Sequence, residues 1–247
     1  MKNSWLIGMF CFAAIGVSAE VICEENFEKA PVGILTHAAK FPNSGKGVSG
    51  GWTVWVPKVA AKAEIVSLGL KGNSLALMGS LDERSEAAQV VGSLDQVIDF
   101  SQDGVWYVSF LFENMDKSAQ PSDYCQVLLR QTKGNVALAG IGMSSDEKPM
   151  IVCLGETRTA LKTMKKETVY RLVAKIECRA SEADSISVSA LQTDEETKAE
   201  PAEWDVVMKK QADGAVDTVV FCASSGNSKA LFDGVRIGTT YADVTAE

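Results

Sequence analysis

Polar and apolar positions alternate with a period of two along most of the chain, the pattern of strands that bury one face. Val105-Trp106-Tyr107-Val108-Ser109-Phe110-Leu111-Phe112 is dense in aromatic and β-branched side chains, as are residues 124–129, 169–176, 186–191 and 216–221. Such side chains pack well on a pleated surface, so each segment predicts a strand. The connectors carry turn chemistry: Gln102-Asp103-Gly104, Lys133-Gly134-Asn135, Ala212-Asp213-Gly214 and Ser224-Ser225-Gly226-Asn227. Gly, Asn and Asp accept the left-handed backbone that tight turns demand. Helical periodicity is thin. Residues 82–88 predict a turn or two, residues 156–166 a short helix or a hairpin with a basic tip, and residues 193–203 a long exposed loop. With neither an internal repeat nor a linker rich in Pro, Gly or Ser, the pattern predicts one all-β domain, a sandwich or jelly roll.

The amino terminus departs from this pattern. Lys2 supplies a basic start, residues 5–17 form an apolar run, and Val17-Ser18-Ala19 satisfies the small-residue rule for signal peptidase. These features predict a leader over residues 1–19, cleavage after Ala19, and a domain over residues 20–247 that is secreted to the extracellular space, the periplasm or the cell envelope. The apolar run is shorter than the roughly 20 residues of a spanning helix, and no later stretch is long and uncharged enough, so no transmembrane span is expected.

A formal charge of −8 at pH 7 argues against a phosphate-binding surface, which needs clustered Lys and Arg, and no nucleic-acid partner is expected. Six cysteines fall to five without Cys11, an odd number that cannot all pair within the chain. Cys153 and Cys222 sit in apolar runs and read as buried thiols, with one bridge among Cys125, Cys153, Cys178 and Cys222 as the alternative. No C-x-x-C pair supports a zinc ribbon or a redox site.

Candidate chemistry is sparse. His37 is the only histidine, which removes most histidine-relay and metal-hydrolase schemes. Gly47-Val48-Ser49-Gly50-Gly51 matches the G-x-S-x-G spelling, but no later histidine can serve as base, so it reads as a flexible glycine-rich loop. Glu24, Asn26 and Glu28 alternate along the first strand. Retaining glycoside hydrolysis needs two carboxyls about 5 to 5.5 Å apart, whereas residues i and i+4 of a regular strand lie about 13 Å apart. They read as solvated charges that discourage strand addition at an edge. Asp82, Glu83 and Glu86, or Asp194, Glu195 and Glu196, would offer oxygen ligands to a structural calcium ion, although no motif specifies one; no other cofactor is expected. Trp52 and Trp55 follow the glycine-rich segment and are the candidate ligand-stacking rings, whereas Trp106 alternates with Val108 and Phe110 and should line the core.

Three segments resemble the concanavalin A-like lectin/glucanase superfamily, in particular LamG-like jelly-roll domains of secreted bacterial proteins. They are Glu25-Asn26-Phe27-Glu28 with Pro31-Val32-Gly33; Tyr170-Arg171-Leu172-Val173-Ala174-Lys175-Ile176 with Ala183-Asp184-Ser185-Ile186-Ser187-Val188; and the closing Phe232-Asp233-Gly234-Val235-Arg236-Ile237-Gly238-Thr239-Thr240-Tyr241-Ala242-Asp243-Val244. The resemblance spans nearly the whole domain and implies an antiparallel two-sheet jelly-roll sandwich whose last strand lies near its first. It implies structural roles for Asp233 and Arg236 and a noncatalytic module that binds carbohydrate or another cell-surface polymer. The enzymatic members' carboxylate pattern is missing here. A structural or protein-interaction component of the cell envelope is the alternative reading, and a divergent glycosidase a third.

The leader carries its own test. Mass spectrometry of protein recovered from the medium or envelope should find Glu20 as the first residue; an intact Met1 there would refute export by cleavage.

Overall fold

The computed structural model describes residues 19–56, 61–67, 69–79, 87–115, 124–144, 149–155, 157–165, 167–192, 199–224 and 229–246. The leader expected up to Ala19 lies outside them except for Ala19 itself, as do Asp82, Glu83 and Glu86 and Asp194, Glu195 and Glu196. In chain order the strands are β1 (Val21–Glu25), β2 (Gly33–Leu35), β3 (Lys40–Phe41), β4 (Val48–Trp55), β5 (Lys62–Val66) and β6 (Ser74–Met78). There follow β7 (Ala88–Asp99), β8 (Gly104–Asn114), β9 (Tyr124–Gln131), β10 (Val136–Ser144), β11 (Pro149–Leu154) and β12 (Thr157–Thr163). The last are β13 (Val169–Cys178), β14 (Asp184–Gln192), β15 (Val206–Lys210), β16 (Ala215–Ala223) and β17 (Lys229–Gly238), before a short helix α1 (Tyr241–Thr245).

These strands form two antiparallel sheets, as the alternating pattern predicts. The first runs β15-β14-β13-β8-β17-β6-β5-β2 with β1 paired to β17; the second runs β12-β11-β10-β9-β16-β7-β4-β3. The long strand predicted around Trp106 is β8, at the centre of the first sheet, held by β13 from Val169↔Glu113 to Cys178↔Gly104. The first and last strands meet, with Glu24 opposite Arg236. Inward side chains of both sheets share one core. At its centre Phe221 of the second sheet lies 5.5 Å from Phe232 of the first and 5.1 Å from Trp52, and Phe112 lies 5.3 Å from Phe232. Tilted and edge-on contacts of this kind add to the burial of large rings.

The segment 47–51 is not a loop. It enters β4, and the pairing of β4 with β7 shifts register between Ser49 and Trp52. Gly50 and Gly51 both hold left-handed backbone, φ 67° and 76°, which a side chain would oppose. The resulting bulge turns Trp52 inward, fully buried, against Gly92, where an added Cβ would lie 2.6 Å from the indole ring. Period two then fixes the remainder of the strand: Val54 points in, and Thr53 and Trp55 point out.

The opening acids also depart from expectation. β1 stops at Glu25, and Phe27 adopts φ 56°, so Glu24, Asn26 and Glu28 do not share one strand face. Glu25, which the sequence left without a role, is fully buried. Its carboxylate accepts hydrogen bonds from Trp52 Nε1 at 2.6 Å and from the backbone N–H groups of Ser44 at 3.0 Å and Phe27. A charge removed from water requires such donors.

Two further features complete the frame. Residues 157–163 form a single strand, β12, paired antiparallel to β11, so the segment is neither the short helix nor the basic-tipped hairpin expected there. The helix α1 was not anticipated; Thr240 and Asp243 cap it reciprocally, and Tyr241 and Val244 bury its inner face against Tyr107 and Val173 on the outer side of the first sheet. Cys23, Cys125, Cys153, Cys178 and Cys222 are all buried, and no disulfide joins any two of them. Burial pushes the thiols of Cys23 and Cys178 up to about 12, which leaves them unreactive at neutral pH.

Trp52→Ala should destabilise the domain by about 3–5 kcal/mol, because it opens a large cavity and leaves Glu25 one donor short. Urea unfolding of the two proteins measures this; a loss below about 1 kcal/mol would show that Trp52 is not a core element.

Candidate functional site

The outer face of the second sheet carries the side chains that alternate away from the core. Strand register sets them in rows. In one row Trp55 lies opposite Gln89, Gln89 opposite Cys222, Cys222 opposite Gln126, and Gln126 opposite Gly142. The next row runs through Thr53, Val91, Val220, Leu128, Gly140 and Cys153. The glycines of β10 keep this face close to the backbone. A Cβ on Gly140 would meet Cys153 Sγ and Leu128 Cδ2, each at 2.6 Å, and one on Gly142 would meet the Cys125 carbonyl oxygen at 2.0 Å. Larger residues there would displace Gln126, Leu128 and Cys153 from their seats.

Of the two tryptophans singled out from the sequence, only Trp55 is placed to meet a ligand. Its ring is 55% exposed and takes an edge-on contact from His37 at 5.4 Å between ring centres. His37 is tethered in turn by its Nδ1, which donates to the Val56 carbonyl at 2.8 Å. Trp52 presents no face to solvent, and its one polar atom is bound to Glu25. Of the two candidate stacking rings, Trp52 is therefore corrected to a core residue. They are an odd number of positions apart on one strand and occupy opposite faces.

Arg130 and Gln126 sit on the same outer face, two turns of the pleat apart on β9. Arg130 Nη1 donates to Gln89 Oε1 at 3.3 Å, while its Nε is buried with no hydrogen-bond partner. Burial lowers the pKa of this guanidinium, against the opposing pull of Cys222 and Asp217. Asp217 does not neutralise it by contact. Burial alone would raise that carboxyl, but hydrogen bonds from Thr132 and Thr218 outweigh it and hold Asp217 below the usual range. Gln126 is fully buried; its Oε1 takes a weak contact from Cys153 Sγ at 3.8 Å, and its Nε2 has no partner. The face thus holds two buried donor nitrogens without acceptors, a condition that native interiors rarely tolerate.

The opposite side of the molecule carries a polar cavity of 240 Å³ over the first sheet, bordered by Glu24, Glu28, Lys71, Arg171, Asp233 and Arg236. Its groups partner one another. Arg236 pairs with Glu24 at 2.7 Å and donates to the Ala246 carbonyl. Glu28 accepts from the Asn73 N–H at 3.0 Å. Asp233, buried at the point where β17 shifts register against β8, accepts from Gly234 N at 2.7 Å, Lys71 N at 3.2 Å and Ser74 Oγ at 3.3 Å. These contacts place Asp233 and Arg236 in the structural roles expected of the closing segment. Among the described residues no group of three or more His, Cys, Asp and Glu side chains is arranged to hold a metal ion. No helix among them is long and apolar enough to cross a membrane.

No protein-family model matches the chain, and no curated protein sequence is similar to it. Solved structures do resemble it. An endo-β-1,4-glucuronan lyase from the fungus Trichoderma reesei superposes with TM-score 0.57 at 13% identity, over 80% of this chain and 95% of the lyase. A carbohydrate esterase from the Shiga toxin-encoding bacteriophage phi24B gives TM-score 0.53 at 12% identity, over 90% of this chain and 99% of the esterase. The globular domain of T. cruzi calreticulin gives TM-score 0.53 at 11% identity, over 92% of this chain and 90% of that domain. At such identities the likeness shows the fold alone, an antiparallel two-sheet jelly-roll sandwich.

Asp233 gives this region a pH signature. Burial raises its carboxyl to about 6, with Glu28 adding to the rise and the three accepted hydrogen bonds opposing it. An acid that holds its proton more tightly when folded contributes stability that is full below its unfolded pKa, about 4, and lost as pH rises through about 6. The stability of the native chain relative to Asp233→Asn should therefore fall by about 2 kcal/mol between pH 4 and pH 6.5. Urea titrations of both proteins across that range test it; parallel pH profiles would contradict the shift.

Proposed function

We propose that the chain is a secreted, noncatalytic LamG-like module that binds a carbohydrate polymer on the outer face of its second sheet. The observation that carries this reading is Trp55, a half-exposed indole on the outer face of the second sheet with Gln89 as its cross-strand neighbour. An indole offers a flat apolar surface to the C–H face of a sugar ring, while flanking amides and hydroxyls reach its polar edge. Gln89, opposite it on β7, and Thr53, two residues before it on the same face of β4, supply such groups beside it. The similar lyase and esterase act on carbohydrate, which supports the ligand class and contributes no residue roles to this chain. The noncatalytic part rests on the engagement of the candidate carboxylates: Glu24 is tied to Arg236, Glu25 to Trp52, and Glu28 to the backbone of Asn73.

Titration calorimetry against a panel of cell-wall oligosaccharides, with product analysis alongside, tests the proposal. Binding without shortened products is expected, and Trp55→Ala should weaken it by a few-fold to about tenfold, in line with the loss of one stacking ring. Unchanged affinity in Trp55→Ala would move the site elsewhere. Release of shortened sugars would overturn the noncatalytic reading.

A further inference from the structure

We infer that export processing completes an ion pair in this fold: cleavage after Ala19 turns the Glu20 nitrogen into an α-ammonium, which docks on the carboxylate of Asp243 and the hydroxyl of Thr239. The inference rests on the leader expected over residues 1–19 and adds what the cut does to the folded domain.

It starts from an excess of acceptors around one nitrogen. The backbone N–H of Glu20 donates both to Thr239 Oγ1 at 3.1 Å and to Asp243 Oδ2 at 3.2 Å. In an uncut chain that nitrogen carries a single hydrogen, shared between two oxygens of which one belongs to a carboxylate. An ammonium carries three, enough for each oxygen and for water besides, and its bond to a carboxylate is charge-assisted. Hydrolysis of the Ala19–Glu20 peptide bond by signal peptidase supplies that group. The oxygen of water joins the Ala19 carbonyl carbon, Ala19 leaves with the leader as a carboxylate, and both hydrogens of that water end on the Glu20 nitrogen. With an ordinary pKa of about 8, the new amine is mostly protonated at neutral pH.

The closing segment builds the seat. Thr239 N donates to the Glu20 carbonyl at 3.1 Å, so the backbone of Glu20 is held through both its nitrogen and its oxygen. Asp243 is fixed by the reciprocal cap of α1, in which its Oδ2 accepts from the Thr240 N–H at 2.8 Å and its own N–H donates to Thr240 Oγ1 at 3.2 Å. Gly238 leaves the room, because a Cβ there would lie 2.6 Å from Asp243 Cβ and 3.1 Å from the Glu20 carbonyl oxygen. Burial would raise the Asp243 carboxyl, but hydrogen bonds from Thr240, Glu20 and Thr239 outweigh it and hold the group below the usual range. It is therefore ionised at neutral pH. Among the described residues no lysine or arginine pairs with it, and Arg236 of the same segment is engaged by Glu24 and the Ala246 carbonyl. The α-ammonium is the cation this carboxylate lacks. Since Glu20 leads directly into β1, the pair ties the first strand to the helix that follows the last.

The test uses protein recovered from the medium or envelope, in its native form and with two glycines inserted between Ala19 and Glu20, which carry the processed amine two residues away from the seat. The inserted protein should melt about 1–3 °C lower, the size expected of one partly exposed ion pair in a domain of this length. Asp243→Asn keeps an acceptor for the Thr240 N–H and removes the charge, so it should lower the melting temperature of the native-ended protein and shift that of the inserted one less. Acylation of the α-amine by a succinimidyl ester at neutral pH, followed by mass spectrometry, should run several-fold slower in the native-ended protein, because the paired amine holds its proton. Asp243→Asn should restore the faster rate.

Equal melting temperatures and equal acylation rates in native and inserted proteins that begin as intended would overturn this inference and leave the leader reading standing. A first residue other than Glu20 in the recovered native chain would overturn both. A loss of melting temperature on insertion that Asp243→Asn leaves undiminished would assign the loss to the added glycines and overturn the ion pair.

Discussion

The buried carboxylate of Glu25 ties the two sheets together. It ends β1 in the first sheet and accepts the indole N–H of Trp52 from β4 in the second, together with backbone N–H groups of Phe27 and Ser44. A buried polar group in this position is stable only while those donors remain, so the interaction fixes three things together. The chain must turn at Phe27, the segment around Ser44 must pass over the end of β1, and the Trp52 ring must point inward. Packing against Phe221 and Phe27 and the clearance at Gly92 enforce the same orientation from the apolar side.

That orientation determines the outer face. With Trp52 held inward, alternation leaves Thr53 and Trp55 outside, and antiparallel pairing carries the row from Trp55 through Gln89 and Cys222 to Gln126. The molecule then has two unlike faces. Over the first sheet, Arg236 is paired with Glu24, Asp233 accepts from its three donors, and the capped helix α1 packs onto the sheet. Over the second sheet, Arg130 Nε and Gln126 Nε2 are buried without hydrogen-bond acceptors. Structural polar groups tend to be satisfied, and groups left unsatisfied in a native fold call for a functional explanation.

The frame was legible in the sequence because strands announce themselves by period two and turns by Gly, Asn and Asp; β8, β9, β13, β14 and β16 follow segments predicted that way. The closing segment likewise revealed the adjacency of β17 and β1. The misreadings have local physical causes. Gly50 and Gly51 look like a loop, yet paired glycines also build the bulge that lets β4 continue through them. The odd separation of Trp52 and Trp55 was the signal that both could not face one ligand. Helix α1 is too short to show a period of 3.6, although Thr240-Tyr241-Ala242-Asp243 spells its capping box. Glu25 gave no signal, because nothing in a run of acids marks the one that will be buried. Nor did Arg130 and Gln126, since their burial on the outer face exists only after the strands of the second sheet pair.

Hydroxyl-radical footprinting read by mass spectrometry, with and without a bound oligosaccharide, bears most directly on the claim that the inward anchoring of Trp52 makes the outer face of the second sheet the binding surface. Trp55 should be oxidised in the free protein and protected by ligand, while Trp52 stays unoxidised in both states. Oxidation of Trp52 in the folded chain, or protection confined to the side bordered by Arg171 and Arg236, would contradict it.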